Sequence, residues 1–362
     1  MRWCWRPSSL GPEAGHPART GAHPGAEPLG LAQALFQTLL SLRARSGSRP
    51  PLLALNGPVG AGKSTVSRQL TALAESRGLR LAVASIDDFY YPWPERMARL
   101  AGNPFGVSRV PPGSHDLPLL LERLAAWRAG APLRLARFDK GLAGGEGDRS
   151  ADQVVEAEAL LIEGWLMGCR SLGEDRLAAC RLDLSPEWTL TPQERAWLPR
   201  WDKELAAYQE LWSACDGLWV LRPLRWTLPR RWRFQAEARQ RRSGKGSLEP
   251  EALDRLVRAS LHSLPPPLYQ DPLVMGWAGP GFTPWSLAGG TKPRSGREVR
   301  AETSPESGTE LQGFSVTSDS TSAGESVSTG LPLLGVTVLD GRRRPQPCSA
   351  QLSLSSGSAA IG

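Results

Sequence analysis

Apolar positions along this chain switch repeatedly between a helical and a strand period. Leu31, Leu35, Leu39 and Leu42 share one helical face that ends at the breakers Ser46-Gly47-Ser48 and Pro50-Pro51. The unbroken apolar run Leu52 to Leu55 reads as a strand buried on both faces. Val66, Leu70 and Leu73 then recur at helical spacing through Thr65 to Ser76. Beyond them the pattern predicts a strand over 79–87, a helix over 116–130, and strands over 133–139 and 159–164. A helix over 201–216, a strand over 217–223 and two helices within 228–262 complete the series. Such alternation specifies an α/β fold, a mostly parallel, doubly wound sheet with helices on both faces, whose ligands sit at the carboxyl ends of the strands.

The segment joining the first strand to its helix reads Gly57-Pro58-Val59-Gly60-Ala61-Gly62-Lys63-Ser64-Thr65. With a strand before it and a helix after it, this is a complete phosphate-binding loop. Glycines let the backbone wrap the β-phosphate, and the amides at the helix start face the anion along a favourable dipole. Lys63 is placed to reach the β- and γ-phosphates, and the Ser64 hydroxyl to take one position on Mg²⁺. The expected fold is therefore the P-loop NTPase fold, with ATP and Mg²⁺ as its cofactors.

Composition bounds the rest. Residues 1–29, rich in Pro, Gly and Ala without hydrophobic period, are expected to be a disordered leader, and 30–275 the nucleotide-binding domain. Residues 276–330, crowded with Gly, Ser, Thr, Pro and Glu, read as a low-complexity insertion, and 346–362 as a disordered tail. Between them Leu333 to Gly341 returns to strand composition, so 331–345 is expected to close the sheet. No run of eighteen apolar residues and no secretory apolar segment occurs, so no membrane partner and a cytoplasmic location are expected. The five cysteines form no CxxC pair, which argues against a disulfide framework or zinc site. The formal charge is +7, of which the first fifty residues, with six Arg against two Glu, supply +4. The remainder is close to neutral and carries no basic stripe, so nucleic acid is not an expected partner; Arg342, Arg343 and Arg344 read as a solvated tail. Trp188, Trp197, Trp201, Trp212 and Trp219 are expected to pack.

The strand ends locate candidate chemistry. SIDDFYYP (85–92) puts Asp87 and Asp88 at the carboxyl edge, where a carboxylate can accept a proton from an attacking hydroxyl close to Mg²⁺. LLIEGW (160–165) puts Glu163 where a Walker-B carboxylate holds Mg²⁺ or its water.

Taken in order, SIDDFY, GSHDLP (113–118), RFDK with GDR (137–140 and 147–149), LIEGW, YQELW and WRFQAEA (232–238) resemble D-glycerate 3-kinase of the plant and cyanobacterial type. The likeness spans about residues 50–272 and returns in VTVLDGRRR (336–344). Phe138 departs from it, standing where a tyrosine is expected. The resemblance implies transfer of the ATP γ-phosphoryl group to the 3-hydroxyl of D-glycerate, in photorespiratory salvage. It implies Asp87 as general base and a metal neighbour, and Asp88 as metal or substrate partner. It also implies His115 and Asp116 in the acceptor pocket, with Arg137, Lys140 and Arg149 supplying cations, Arg149 foremost. Asp116 also precedes a Leu-rich period and is suited to cap its helix. The arginine-dense stretch 229–242 is implied to be a helical lid over ATP, with Arg233 and Arg239 meeting the phosphates. A kinase of the same fold for pantothenate or a nucleoside, and a non-catalytic nucleotide switch, remain alternatives; no Asn-Lys-x-Asp guanine motif is present.

Overall fold

Strand β1 (Leu52–Asn56) is buried at every position and sends Leu52 and Ala54 into one apolar cluster, Leu53 and Leu55 into another. This two-sided burial follows from helices packed on both faces of the sheet around it. The computed structural model describes residues 30–180, 189–244, 248–274 and 331–346. The leader, the 276–330 insertion, Trp188 and the tail beyond residue 346 lie outside the described residues.

In chain order, α1 (Leu31–Arg45) precedes β1, and α2 (Lys63–Ser76), β2 (Leu81–Ser85), α3 (Trp93–Arg99) and α4 (Leu117–Arg128) follow it. Next come β3 (Leu133–Asp139), β4 (Asp148–Val155), β5 (Ala159–Gly164), α5 (Glu174–Ala179), α6 (Pro192–Ala206) and α7 (Gln209–Ala214). The remainder is β6 (Gly217–Pro223), α8 (Leu228–Arg242), α9 (Pro250–His262), α10 (Pro266–Tyr269) and β7 (Leu333–Leu339). Five strands form one sheet in the order β2-β5-β1-β6-β7, every neighbouring pair parallel. α1, α2 and Trp232 of α8 cover one face, while α4, α6, α7 and Ala259 of α9 belong to the core of the other. Trp201, Trp212 and Trp219 are buried packing residues. No described helix is long and apolar enough to cross a membrane.

Three expectations need correction. Leu133–Asp139 is a strand, but outside the parallel sheet: it pairs antiparallel with β4, a strand the pattern did not reveal. β4 reads DRSADQVV and is largely exposed, so pairing with β3, without an apolar face, holds it in place. The strand expected over 79–87 stops at Ser85 because Ile86–Phe89 turns into a 3-10 helix. A capping box stabilises that turn: Ser85 Oγ accepts from Asp87 N–H at 3.3 Å, and the Asp88 carboxylate accepts from Ser85 N–H at 3.4 Å. The helix expected over 201–216 is two helices, the first starting at Pro192 and the second at Gln209.

The start of α6 was written in the sequence as Thr191-Pro192-Gln193-Glu194, a capping box with proline at the first helical position. Thr191 N–H donates to Glu194 at 2.8 Å, and Glu194 N–H donates back to the Thr191 hydroxyl at 3.2 Å. Glu194 is buried and also takes Arg258 of α9 at 2.8 Å. Burial pushes its carboxyl up, but His262, Arg258 and the Thr191 amide outweigh this and hold it at about 2. A carboxyl lowered in the folded state stabilises above its unfolded value near 4.5 and loses that contribution as pH falls toward 2. Glu194→Gln is expected to cost roughly 2–3 kcal/mol at pH 7, somewhat below the range for a wholly buried pair because Arg258 is partly exposed. Urea melts at pH 7 and pH 3 check this: the gap between variant and wild type shrinks at the lower pH.

Candidate active site

The carboxyl ends of β1, β5 and β2 bring the phosphate loop and three carboxylates together. The loop from Gly57 to Gly62 leaves β1 tied to β5, with Gly57 N–H donating to Gly164 O at 3.1 Å. Gly60 and Gly62 take φ of +77° and +95°, the left-handed region that favours glycine. α2 begins at once with Lys63, leaving Ser64 and Thr65 exposed on its first turn. Lys63 Nζ donates to Gly57 O at 2.8 Å and lies 3.6 Å from Glu163 Oε2. Glu163 stands level with Leu55 of β1 on one side and Ser85 of β2 on the other. Burial raises its carboxyl; Lys63 opposes this, and Asp87 and Asp88 reinforce it. Such crowding of negative charge favours a cation.

Asp87 sits on the 3-10 turn after β2 with its side chain 42% accessible, opening onto a cavity. Tyr90 Oη donates to Asp87 Oδ1 at 2.9 Å, and His115 Nε2 lies 3.4 Å from the same oxygen. His115 is buried, stacks on the Tyr90 ring at 4.6 Å, and meets Tyr208 Oη through Nδ1 at 2.6 Å. With the Tyr208 hydroxyl donating to Nδ1, the Nε2–H is left to point at Asp87. Burial alone would raise the Asp87 carboxyl, yet His115, Lys140 and Tyr90 together hold it at about 2. It is ionised throughout the physiological range.

The cavity in front of Asp87 has a volume of about 540 Å³ and is also lined by Val59, Tyr90, Arg109, Lys140 and Arg233. Arg233 belongs to α8, which packs directly on the phosphate loop: a Cβ on Gly60 would lie 2.7 Å from the Arg233 amide nitrogen. The Arg233 guanidinium pairs with Glu237, whose other oxygen accepts from Leu248 N–H at 2.6 Å. Pro58 and Ala61 complete the loop, and Arg239 is exposed farther along α8.

Other sequence-derived candidates are absent from the lining of this cavity. Asp116 caps α4 by accepting from Leu119 N–H at 3.1 Å, and its second oxygen accepts from Arg149 Nη2 at 2.6 Å. Arg149 Nε donates to Tyr90 O at 2.7 Å, so this arginine fastens β4 to the Asp87 segment. Arg137 donates to Asp88 Oδ2 at 3.0 Å and is also held by Gln153. Burial raises the Asp88 carboxyl, against the lowering effect of Arg137. His115, Asp116, Arg137 and Arg149 thus do not line the cavity, and of the expected acceptor cations Lys140 alone does.

Arg343, expected in a solvated run, is instead partly buried beside the phosphate loop. Its Nη2 donates to Trp232 O at 3.1 Å, and its Cδ lies 4.0 Å from where a Gly62 Cβ would stand. The Asp340 carboxylate organises this turn by accepting from the amides of Arg342 and Arg344 at 2.8 and 2.9 Å. β7 therefore brings the closing turn back to the phosphate loop. Nothing in the spacing of three arginines marks the middle one.

The fold has counterparts among solved structures. D-glycerate 3-kinase from Cryptococcus neoformans superposes with a TM-score of 0.63 at 21% identity, covering 88% of this chain and 98% of that one. The YGR205w protein superposes with a TM-score of 0.58 at 20% identity, covering 88% and 97%. This chain shares their fold, a mostly parallel sheet flanked by helices. In sequence it is similar to the uncharacterized kinase mug58 of Schizosaccharomyces pombe, 28% identical over 230 residues, or 59% of this chain and 80% of the relative. No family model matches the chain. Within this fold, the observed strand order places the phosphate loop of β1 between the carboxylates after β5 and β2 and the closing turn after β7. The cavity opens between this loop, α8 and the Asp87 turn.

Proposed function

We propose that this chain is an ATP-dependent small-molecule kinase that phosphorylates the 3-hydroxyl of D-glycerate, giving 3-phosphoglycerate and ADP. The observation that carries this reading is Asp87, ionised and opening onto a cavity that also holds Lys140 and Arg109 and is bounded by the phosphate loop and α8. Its fold likeness to a D-glycerate 3-kinase, together with the motif resemblance, supports D-glycerate as the acceptor.

Asp87 takes the proton of the acceptor hydroxyl as the oxygen bonds to phosphorus. A carboxylate held at about 2 is a weak base, which suits a loose transition state in which the proton leaves late. His115 and Tyr90 orient it by holding one oxygen. Lys63 and Arg233 neutralise charge developing on the transferred group. α8, seated on Gly60, excludes water that would otherwise be the acceptor.

The residues fit Mg²⁺. Among the described residues no group of three His, Cys, Asp or Glu forms a closed metal cage, and Mg²⁺ on a nucleotide needs only one or two protein oxygens. Ser64, Glu163 and Asp87 are those available, and the bound ion would supply charge neutralisation at the phosphates.

An ADP-release assay offering D-glycerate, pantothenate, uridine and glycerol with MgATP tests the acceptor. D-glycerate is expected to be preferred by at least about 100-fold in kcat/KM. Preference for uridine or pantothenate would transfer the reading to another kinase of this fold. Because Asp87 ionises near 2, it adds no acid limb above about pH 4; kcat/KM is expected to be level from pH 5 to 8 apart from ionisation of the nucleotide, as a pH–rate profile would show.

A further inference from the structure

Arg109 lines the same cavity as Asp87 while being only 6% exposed. Arg137 and Arg149 are each held by a carboxylate, and Arg233 pairs with Glu237. Arg109 has no carboxylate within ion-pair distance among the described residues; its recorded hydrogen bond runs to the main-chain carbonyl of Glu146. A buried guanidinium without a counter-charge is costly. It is sustained where an anion completes the site.

The backbone beside it points the same way. Val110 takes φ +95°, a left-handed conformation that a β-branched residue avoids, and it too lines the cavity. Strain of this kind persists where surrounding structure enforces it, and it clusters at ligand sites. The enforcement is visible. Arg96, wholly buried, donates to Ser108 O at 2.7 Å and to Gly147 O at 2.6 Å, tying the 108–110 segment to the glycine-rich turn before β4. Ser108 Oγ donates to the Glu146 carboxylate, which takes that acid away from Arg109. Arg109 is thus held rigidly, and its neighbour's acid is already engaged.

We propose that Arg109 is the specificity-determining residue of the acceptor site, binding the carboxylate of a small hydroxy acid whose hydroxyl faces Asp87. The inference rests on the kinase reading above and replaces Arg149 in the recognition role. A planar guanidinium can hold both carboxylate oxygens, and a neutral alcohol of the same size leaves it unpaired. Arg149 and Arg137 act as positioning residues for the Asp87 turn.

The test compares kcat/KM for D-glycerate and for glycerol in wild type, Arg109→Gln and Arg109→Lys. Binding of a fluorescent ADP and the melting temperature are measured alongside. In wild type, glycerate is expected to exceed glycerol by 100-fold or more; Arg109→Gln is expected to collapse that ratio at least 30-fold, and Arg109→Lys about 10-fold through KM, with ADP affinity within twofold of wild type. If Arg109→Gln does not fold, the Lys variant decides by the same ratio. Equal loss on both acceptors, or an unchanged ratio, overturns the assignment. A wild type that binds ADP and phosphorylates neither acceptor overturns the glycerate reading itself, whereas one that phosphorylates both equally overturns only the role of Arg109.

Discussion

Asp87→Asn is expected to lower kcat with MgATP and D-glycerate by about 1,000-fold while ADP affinity changes less than threefold. The amide is nearly isosteric, so the cavity keeps its shape. It can no longer take the acceptor proton, and its neutral oxygen receives weaker hydrogen bonds from Tyr90 and His115. ADP release under saturating acceptor, beside equilibrium binding of a fluorescent ADP, separates chemistry from binding. Equal loss of both would mean that Asp87 supports the nucleotide and not the proton transfer.

The second large effect concerns Gly60. An added Cβ would stand 2.7 Å from the Arg233 amide nitrogen and 2.8 Å from Trp232 Cβ, and the backbone there has φ +77°. Main chain on the first turns of α8 cannot swing aside as a flexible side chain can, so the helix or the phosphate loop must move. Displacement of about 1 Å in a positioned site costs on the order of 100-fold in rate, and Gly60→Ala is expected to lower kcat/KM for ATP by at least that factor. Gly78→Ala is the matched control: φ is +69° there, with no heavy atom within 4 Å of an added Cβ. Both variants carry left-handed strain of about 1 kcal/mol. Steady-state kinetics with thermal melts should show the small loss of stability from left-handed strain in Gly78→Ala, and in Gly60→Ala a larger loss of stability together with the loss of activity.

These expectations combine features legible in the chain with others that only the fold reveals. The phosphate loop, Glu163 and Asp87 were readable because strand ends follow from local hydrophobic period, and a parallel sheet collects its strand ends on one edge. β7 was readable as a strand even though it follows the long 276–330 stretch. β4 was not, since an exposed strand of mixed polar residues has no period to detect. The roles of the arginines were hidden for a related reason. Composition shows that cations are plentiful, but ion pairing decides which remain available. Arg149 is engaged by the capping carboxylate of α4 and Arg137 by Asp88, both through tertiary contacts. Arg109 and Arg343 lie in irregular segments, Ser108 to Pro111 and the turn after β7, where periodicity carries no information about side-chain direction.

His115 shows the same division within one motif. GSHDLP marks a residue of interest, yet the burial that puts its ring behind Asp87, between Tyr90 and Tyr208, depends on packing of α4 against the Asp87 turn and on Tyr208 standing at the junction of α6 and α7. In the proposed reading it acts through Asp87 as a positioning residue.

The most direct measurement is phosphorus NMR of the wild-type protein incubated with MgATP and D-glycerate, beside Asp87→Asn. The predicted result is ADP with a new monoester identified as 3-phosphoglycerate, formed at a rate that falls about 1,000-fold in the variant. Phosphorylation at the 2-hydroxyl, or tight ADP binding with no phosphorylated acid formed, would contradict it.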